Sequence, residues 1–337
     1  MISFMNDYSE CAHPRIMKML MEANCEQNAG YGEDIHSEKA REYIKEHLQN
    51  KDVDIHFIPG GTQTNLLVIS SFLRPHQCVI AAATGHINVH ETGAIEATGH
   101  KVIGIPVKDG KLTPDAVRQA LDYHTDEHMV QPKMVYISDT TEVGTVYTKA
   151  ELNALHDICR KNELLLYMDG ARLASALTSR ENDMELNDIA ELTDVFYIGG
   201  TKNGALLGEA LVICNQDLKE DFRYLMKQRG AMMAKGFVIG MQFEALFQDR
   251  LFYELGQYAN QRAEKIADTL ITKGYSFYMP PCSNQLFPIL SKEKITQLSE
   301  KYQFIVMDEI DEDHNVIRLV TSWATTKESV EELCRDL

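Results

Sequence analysis

Lys202 lies in the run Tyr197-Ile198-Gly199-Gly200-Thr201-Lys202-Asn203-Gly204-Ala205-Leu206-Leu207-Gly208, where a short apolar segment delivers one amine into a loop of glycines and small residues. A lysine on an open surface stays protonated near ~10.4, whereas one in a crowded, partly dry loop loses charge more easily and becomes a nucleophile able to form a Schiff base. Taken alone, the same residue would serve equally as a turn cap. Three further features stand near it in kind. Asp169 closes the apolar run Leu164-Leu165-Leu166-Tyr167-Met168 and is followed by Gly170-Ala171-Arg172. Pro59-Gly60-Gly61-Thr62 opens an apolar helical pattern; free backbone N–H groups, the Thr62 hydroxyl and the helix dipole suit a phosphate there, although a plain helix start uses the same residues. It is neither a Walker loop nor the three-glycine dinucleotide pattern. His86 and His90 are four apart on one helical face with Glu91 beside them, which raises a zinc site. The metalloprotease pattern requires Glu directly after the first His, where this chain has Ile87, so no metal is expected. A flat imidazole can instead stack on an aromatic ring.

The periodicity supplies the elements that must hold these groups. Apolar runs over residues 77–82, 101–107, 133–138, 164–168 and 194–198 read as strands, and they alternate with helical patterns over residues 37–48, 62–73, 86–97, from Thr113-Pro114, and from Thr148 to about 161. Continuous apolar strands separated by helices predict an α/β fold with a mostly parallel sheet covered on both faces. Ligands of such sheets gather beyond the carboxyl ends of the strands, where Gly60-Gly61-Thr62, His86, Asp169 and Lys202 all fall. Helices are expected over 14–23, 217–228, 235–247 and 252–273. Beyond them, strands at 275–278, 285–290, 304–307 and 316–321 with helices at 292–302 and 327–337 form a small sheet, giving a large domain over 1–250 and a small C-terminal α/β domain over 251–337.

Composition bounds the function. A net charge of −17 across 337 residues, without a basic block, argues against binding nucleic acid. Seven scattered cysteines without a Cys-x-x-Cys pair fit reduced thiols better than a disulfide framework. With a polar N-terminal segment and no apolar run approaching ~20 residues, neither a secretory signal nor a membrane span is expected, and the protein is expected in the cytoplasm.

A phosphate cradle, a stacking imidazole, a carboxylate at a strand end and an amine downstream are together the parts that hold pyridoxal 5'-phosphate. Lys202 would carry the aldehyde as an imine, and Asp169 would keep the pyridine nitrogen protonated so that the ring withdraws electrons. Arg318, within an apolar strand pattern, is costly to bury unless it meets an anion. A substrate carboxylate is one such anion, a structural Asp or Glu the other.

The motifs Tyr31-Gly32-Glu33-Asp34, Pro59-Gly60-Gly61-Thr62, His86, Met168-Asp169-Gly170-Ala171-Arg172, Thr201-Lys202 and Ile317-Arg318-Leu319-Val320-Thr321 occur nearly end to end. In that order they resemble the threonine aldolases, within the β-eliminating-lyase group of pyridoxal-phosphate enzymes. Thr140-Thr141-Glu142-Val143-Gly144 and Thr201-Lys202-Asn203-Gly204 look most similar to the phenylserine-aldolase branch. The resemblance implies an aspartate-aminotransferase-like fold (fold type I) and cleavage of β-hydroxy-α-amino acids to glycine and an aldehyde. It implies cofactor contacts from Gly60, Gly61, Thr62, Thr201 and Lys202, ring stacking by His86, a pyridine partner in Asp169, and cofactor or carboxylate contact from Arg172. Substrate contacts would come from Asn6, Tyr31 and Arg318. Lys235 stands where the family has an arginine that reaches a neighbouring subunit's phosphate, implying a homodimer or homotetramer with shared sites. Two positions depart from the family. Asn6 replaces a common serine, and Asp139-Thr140-Thr141 lacks the family histidine, so either another group such as His86, His90, Glu142 or an ordered water takes the β-hydroxyl proton, or the preferred substrate differs from threonine. On the same scaffold β-elimination, another pyridoxal reaction or cofactor binding without turnover are the alternatives.

Overall fold

The computed structural model describes residues 1–337. Its main sheet has seven strands: β1 (Asp54–Ile58), β2 (Gln77–Ala82), β3 (Val102–Ile105), β4 (Gln131–Ser138), β5 (Leu165–Asp169), β6 (Val195–Gly199) and β7 (Glu209–Ile213), in the spatial order β1-β7-β6-β5-β4-β2-β3. β7 runs antiparallel to both its neighbours, and the other pairings are parallel, so the sheet is mostly parallel as expected.

Alternation along each strand explains why these runs are apolar throughout. Phe196 and Ile198 of β6 enter one core layer with Leu166, Met168, Val135 and Ile137, while Val195 and Tyr197 enter the other with Tyr167, Met134 and Tyr136. A strand buried on both faces has no polar side to show. The two layers are filled by helices such as α1 (Ile35–Glu46), α2 (Gly61–Phe72), α3 (His86–Val89), α4 (Lys149–Lys161) and α5 (Phe237–Gln248). Thr148 caps α4 in a reciprocal box with Glu151.

The long helix α6 (Leu251–Thr272) touches both halves. Its Leu251, Phe252 and Leu255 belong to the large core, and Ala263, Ile266, Ala267 and Leu270 to a third cluster with Leu286, Leu290, Ile317, Leu319 and Leu333. Phe4 of the N-terminal arm joins this third cluster, and Ile2–Ser3 pairs with Tyr302–Gln303. The small sheet comprises β8 (Gln285–Leu286), β9 (Ile289–Ser291), β10 (Ile305–Glu309) and β11 (His314–Val320). No helix is long and apolar enough to cross a membrane.

Four expected elements differ. The helix over 86–97 stops at Val89, because Thr92 (φ 53°) and Gly93 (φ 73°) enter the left-handed region and break the helical path. The strand over 285–290 splits in two around Phe287-Pro288, since proline offers no N–H to a ladder, and the strand over 275–278 reduces to one bridge between Phe277 and Pro288. The helix over 217–228 begins at Phe222, after Asp221 (φ 57°) turns the chain.

Candidate active site

The parallel strands end together, and the loops that leave them form the site. After β5, Gly170 lies so close to the carbonyl of Tyr197 that a side chain there would collide with backbone, and Gly199 N–H donates to the Gly170 carbonyl (2.9 Å). Glycine at 170 and 199 is therefore what lets the loop bearing Asp169 and the loop bearing Lys202 leave adjacent strands in contact.

Asp169 is buried and accepts four hydrogen bonds. Tyr197 Oη (2.5 Å) and Ala171 N (3.0 Å) donate to Oδ1; Tyr136 Oη (2.7 Å) and Asn65 Nδ2 (3.0 Å) donate to Oδ2. Tyr167 Oη fixes Asn65 in turn (2.6 Å). Burial pushes the Asp169 carboxyl up, but the His86 charge and the two tyrosine hydroxyls outweigh it and hold the group below its ordinary value. It is thus an anion in a dry place. All three tyrosines come from the same core layer, because period-two alternation sends Tyr167 and Asp169 to one face and neighbouring strands in register do the same.

His86 begins α3. Its Nδ1 lies 2.7 Å from Glu91 Oε1, which also accepts from Asn65 Nδ2 (2.7 Å), and its backbone N–H donates to Glu142 Oε1 (2.8 Å). Imidazole and carboxylate thus share one network through Asn65.

Lys202 is half-buried in the loop after β6. Glu209 clamps that loop: Thr201 Oγ1 donates to its Oε1 (2.8 Å), Gly200 N–H donates to its Oε2 (3.0 Å), and Gly208 N–H donates back to Thr201 Oγ1 (3.0 Å). Burial and the Arg172 charge lower the Lys202 amine, against the pull of Asp7, Asp169 and Glu209. Burial pushes the Glu209 carboxyl up to about 7.

Gly60-Gly61-Thr62 starts α2. No side chain caps Gly60, and a Cβ on it would meet nothing within 4 Å, so the start of α2 is left uncapped and unobstructed at that residue. A Cβ on Gly61 would lie 3.2 Å from Tyr197 Oη, which ties this cradle to the Asp169 network.

Arg172 is occupied. Its Nε and Nη2 donate to Asp7 Oδ2 (2.7 Å) and Oδ1 (3.1 Å), and Asn284 Nδ2 donates to the same carboxylate (2.9 Å). Arg318 on β11 is half-buried without a carboxylate partner; its Nη2 donates to the Met5 carbonyl (3.4 Å), and its buried Nε has no partner. Of the two anions expected for Arg318, the structural acid is therefore missing. Asn6 accepts from Tyr8 N (3.0 Å) and Ser9 Oγ (2.9 Å), and its neighbours Met5 and Asp7 accept from Arg318 and Arg172, which brings the N-terminal arm against both arginines.

Tyr31 and Lys235 lie together elsewhere. Tyr31 N–H donates to the Ala234 carbonyl (3.1 Å) and its exposed ring sits 4.4 Å from Lys227 Nζ. Both Tyr31 and Lys235 are exposed.

Asp7, Asn65, Tyr136, Tyr197 and Glu209 escaped the sequence reading, and Glu91, considered there only as a metal ligand, instead orients His86. For Glu209 a signal existed, since an acid heading the otherwise apolar run Ala210-Leu211-Val212-Ile213 is costly unless it is used. Asp7 sits in a polar arm with no such mark.

The donor set suits pyridoxal phosphate: an uncapped helix start, a buried anion for a protonated ring nitrogen, an amine that gives up its proton more readily than usual, and an orphaned guanidinium nitrogen. A family model for beta-eliminating lyases matches residues 9–290. The chain belongs to that family. As a beta-eliminating lyase family member it is a pyridoxal-phosphate-dependent lyase. It is 32% identical over 332 residues to the low specificity L-threonine aldolase of Pseudomonas aeruginosa, covering 96% of this chain and 93% of that one. The low specificity L-threonine aldolase of Escherichia coli is 26% identical over 309 residues, 90% of this chain and 88% of that one. Among solved structures, a threonine aldolase of Leishmania major superposes with a TM-score of 0.98 at 50% identity, covering 99% and 98% of the two chains. An aspartate aminotransferase of Thermus thermophilus superposes at 0.69 with 13% identity, covering 100% of this chain and 91% of that one, which is the expected fold type I.

Proposed function

We propose that this chain is an aldolase that cleaves β-hydroxy-α-amino acids of the threonine, allo-threonine or phenylserine type to glycine and an aldehyde, with Lys202 as the amine that holds the cofactor. The observation that carries this reading is the half-buried Lys202, its charge disfavoured, beside the saturated Asp169 carboxylate at adjoining strand ends. Bound pyridoxal phosphate supplies a ring that withdraws the electron pair left at the substrate α-carbon. Every other part of the work falls to the chain's own groups.

Asp169 would receive the pyridine N–H, and its depressed carboxyl favours that proton on the ring. Gly60, Gly61 and Thr62 would hold the phosphate at the start of α2. His86, oriented by Glu91, would lie against the ring, and Thr201 would anchor the lysine loop through Glu209. Arg318 would take the substrate carboxylate in a two-pronged contact, satisfying the nitrogen that lacks a partner. Arg172 would steer that carboxylate from its place on Asp7, and Asn6 would stand beside the substrate. The loops at 140–144 and 201–204 support a phenylserine-type preference. Lys235 and Tyr31, exposed and adjacent, would complete a neighbouring subunit's site in a homodimer or homotetramer. Seven free thiols support a reducing compartment such as the cytoplasm. The division between the cofactor domain and the small domain would fall at the start of α6, near residue 250.

The test is a panel of threonine, allo-threonine and phenylserine with the cofactor-loaded protein. Glycine and the matching aldehyde are expected. Ammonia and a 2-oxo acid in their place would make it a β-eliminating enzyme in activity as well as family.

A further inference from the structure

Resting on the aldolase reading above, we propose that His90 is the catalytic base that takes the proton from the substrate β-hydroxyl. That reaction needs such a base, and Thr141, where the family histidine would stand, is sealed away. Its hydroxyl lies 2.7 Å from Thr145 Oγ1, and the residue is fully buried against Gly110, whose added Cβ would meet Thr141 Oγ1 at 3.0 Å. His86 has its Nδ1 on Glu91, and its ring face is the one assigned above to the cofactor. Glu142 is tied by Oε1 to the His86 N–H and to Ser138 Oγ (2.7 Å), and burial holds its carboxyl above the ordinary range.

His90 is differently placed. It caps α3, donating its backbone N–H to the His86 carbonyl (2.9 Å), and its exposed ring stands 5.5 Å from the His86 ring, centroid to centroid. At that 5.5 Å separation His90 stands one ring away from the imidazole assigned to the cofactor, within reach of the charges of Arg318 on β11 and Lys202 in the loop after β6. Burial, then His86, Arg318 and Lys202, hold it below its ordinary value. At neutral pH it therefore keeps a lone pair free. In the step, the β-O–H bond breaks and its proton passes to an His90 ring nitrogen. The oxygen's electron pair becomes the second bond of the aldehyde carbonyl, the Cα–Cβ pair stays on the α-carbon, and a proton returned to that carbon completes glycine.

The experiment compares wild type with His90→Ala and His90→Gln, each loaded with cofactor. It reads aldehyde release, exchange of the glycine α-proton with deuterated solvent, and the glycine dissociation constant from the visible absorbance. Glycine has no β-hydroxyl, so only cleavage needs this base. We expect cleavage to fall roughly 10²–10⁴-fold in both variants. Glycine exchange and glycine affinity should stay within about threefold, and added imidazole should restore part of the cleavage by His90→Ala. Cleavage retained within about threefold would overturn the assignment, and so would a matching loss of exchange, which marks a structural role. A wild-type protein that exchanges glycine but releases no aldehyde from any β-hydroxy substrate would overturn the aldolase reading itself, a different result from either.

Discussion

Asp169 accepts from Tyr136, Tyr197, Asn65 and Ala171, which fills the four lone-pair positions a carboxylate offers. A ring nitrogen that donates to Asp169 must share or displace one of these, and the tyrosine hydroxyls can turn away without moving the backbone. Removing the charge while keeping the shape is the direct probe. In Asp169→Asn the side chain is no longer an anion and its NH2 faces hydroxyls that must reverse their roles. With Lys202 and the Gly60-Gly61-Thr62 turn intact, we expect cofactor to stay bound while kcat falls by about two to three orders of magnitude, the scale of losing one buried electrostatic stabiliser. Steady-state kinetics at matched cofactor absorbance check this.

At the scale of elements, α1 and α5 are held by His36, whose Nδ1 lies 2.6 Å from Glu244 and whose Nε2 lies 2.8 Å from Glu26. Burial lowers the imidazole, but bonds to both carboxylates outweigh it and raise it above its ordinary 6.5. A raised value means that the stabilisation is complete below the unfolded-state value and is lost as pH rises through the folded-state value. The melting-temperature gap between wild type and His36→Leu should therefore narrow from about pH 6 to about pH 9. A gap that stays constant or widens would remove this pair of contacts from the stability of the segment leading to Tyr31. His36 drew no attention in the sequence, because its partners come from positions 10 and 208 residues away. The parallel strands β2 to β6 of the main sheet were legible, since burial on both faces leaves an unbroken apolar run, and so were the strand-end groups Asp169 and Lys202, whereas β1 and the antiparallel β7 drew no strand expectation. The short elements beyond α6 and the end of α3 were less legible. Pro288 and the left-handed Thr92 break patterns whose composition alone continues. Asn65 was invisible because it bonds Tyr167 and Asp169, which lie more than a hundred positions along the chain, and Glu91 was visible only as a candidate metal ligand.

For the whole molecule, the arrangement of Tyr31 and Lys235 matters most. Both lie exposed on one patch with Lys227, while the single chain builds the Asp169 and Lys202 network from its own strand ends. If each site borrows Lys235 from a neighbour, two damaged proteins should repair one another. Mixing Lys202→Ala with Lys235→Ala under conditions that let subunits exchange should restore part of the wild-type aldehyde release, since some sites then combine an intact Lys202 with an intact Lys235. Activity that stays at the sum of the separate variants would confine Lys235 to its own chain. Sedimentation of the mixture shows whether subunits have exchanged.

Which amine bears the cofactor can be read by one chemical trap. Treating the loaded protein with borohydride and mapping its peptides should fix a pyridoxyl group on Lys202, bleach the visible band, and leave Lys202→Ala unlabelled. A label on any other lysine, or a coloured Lys202→Ala protein that still takes up the label, would contradict that assignment.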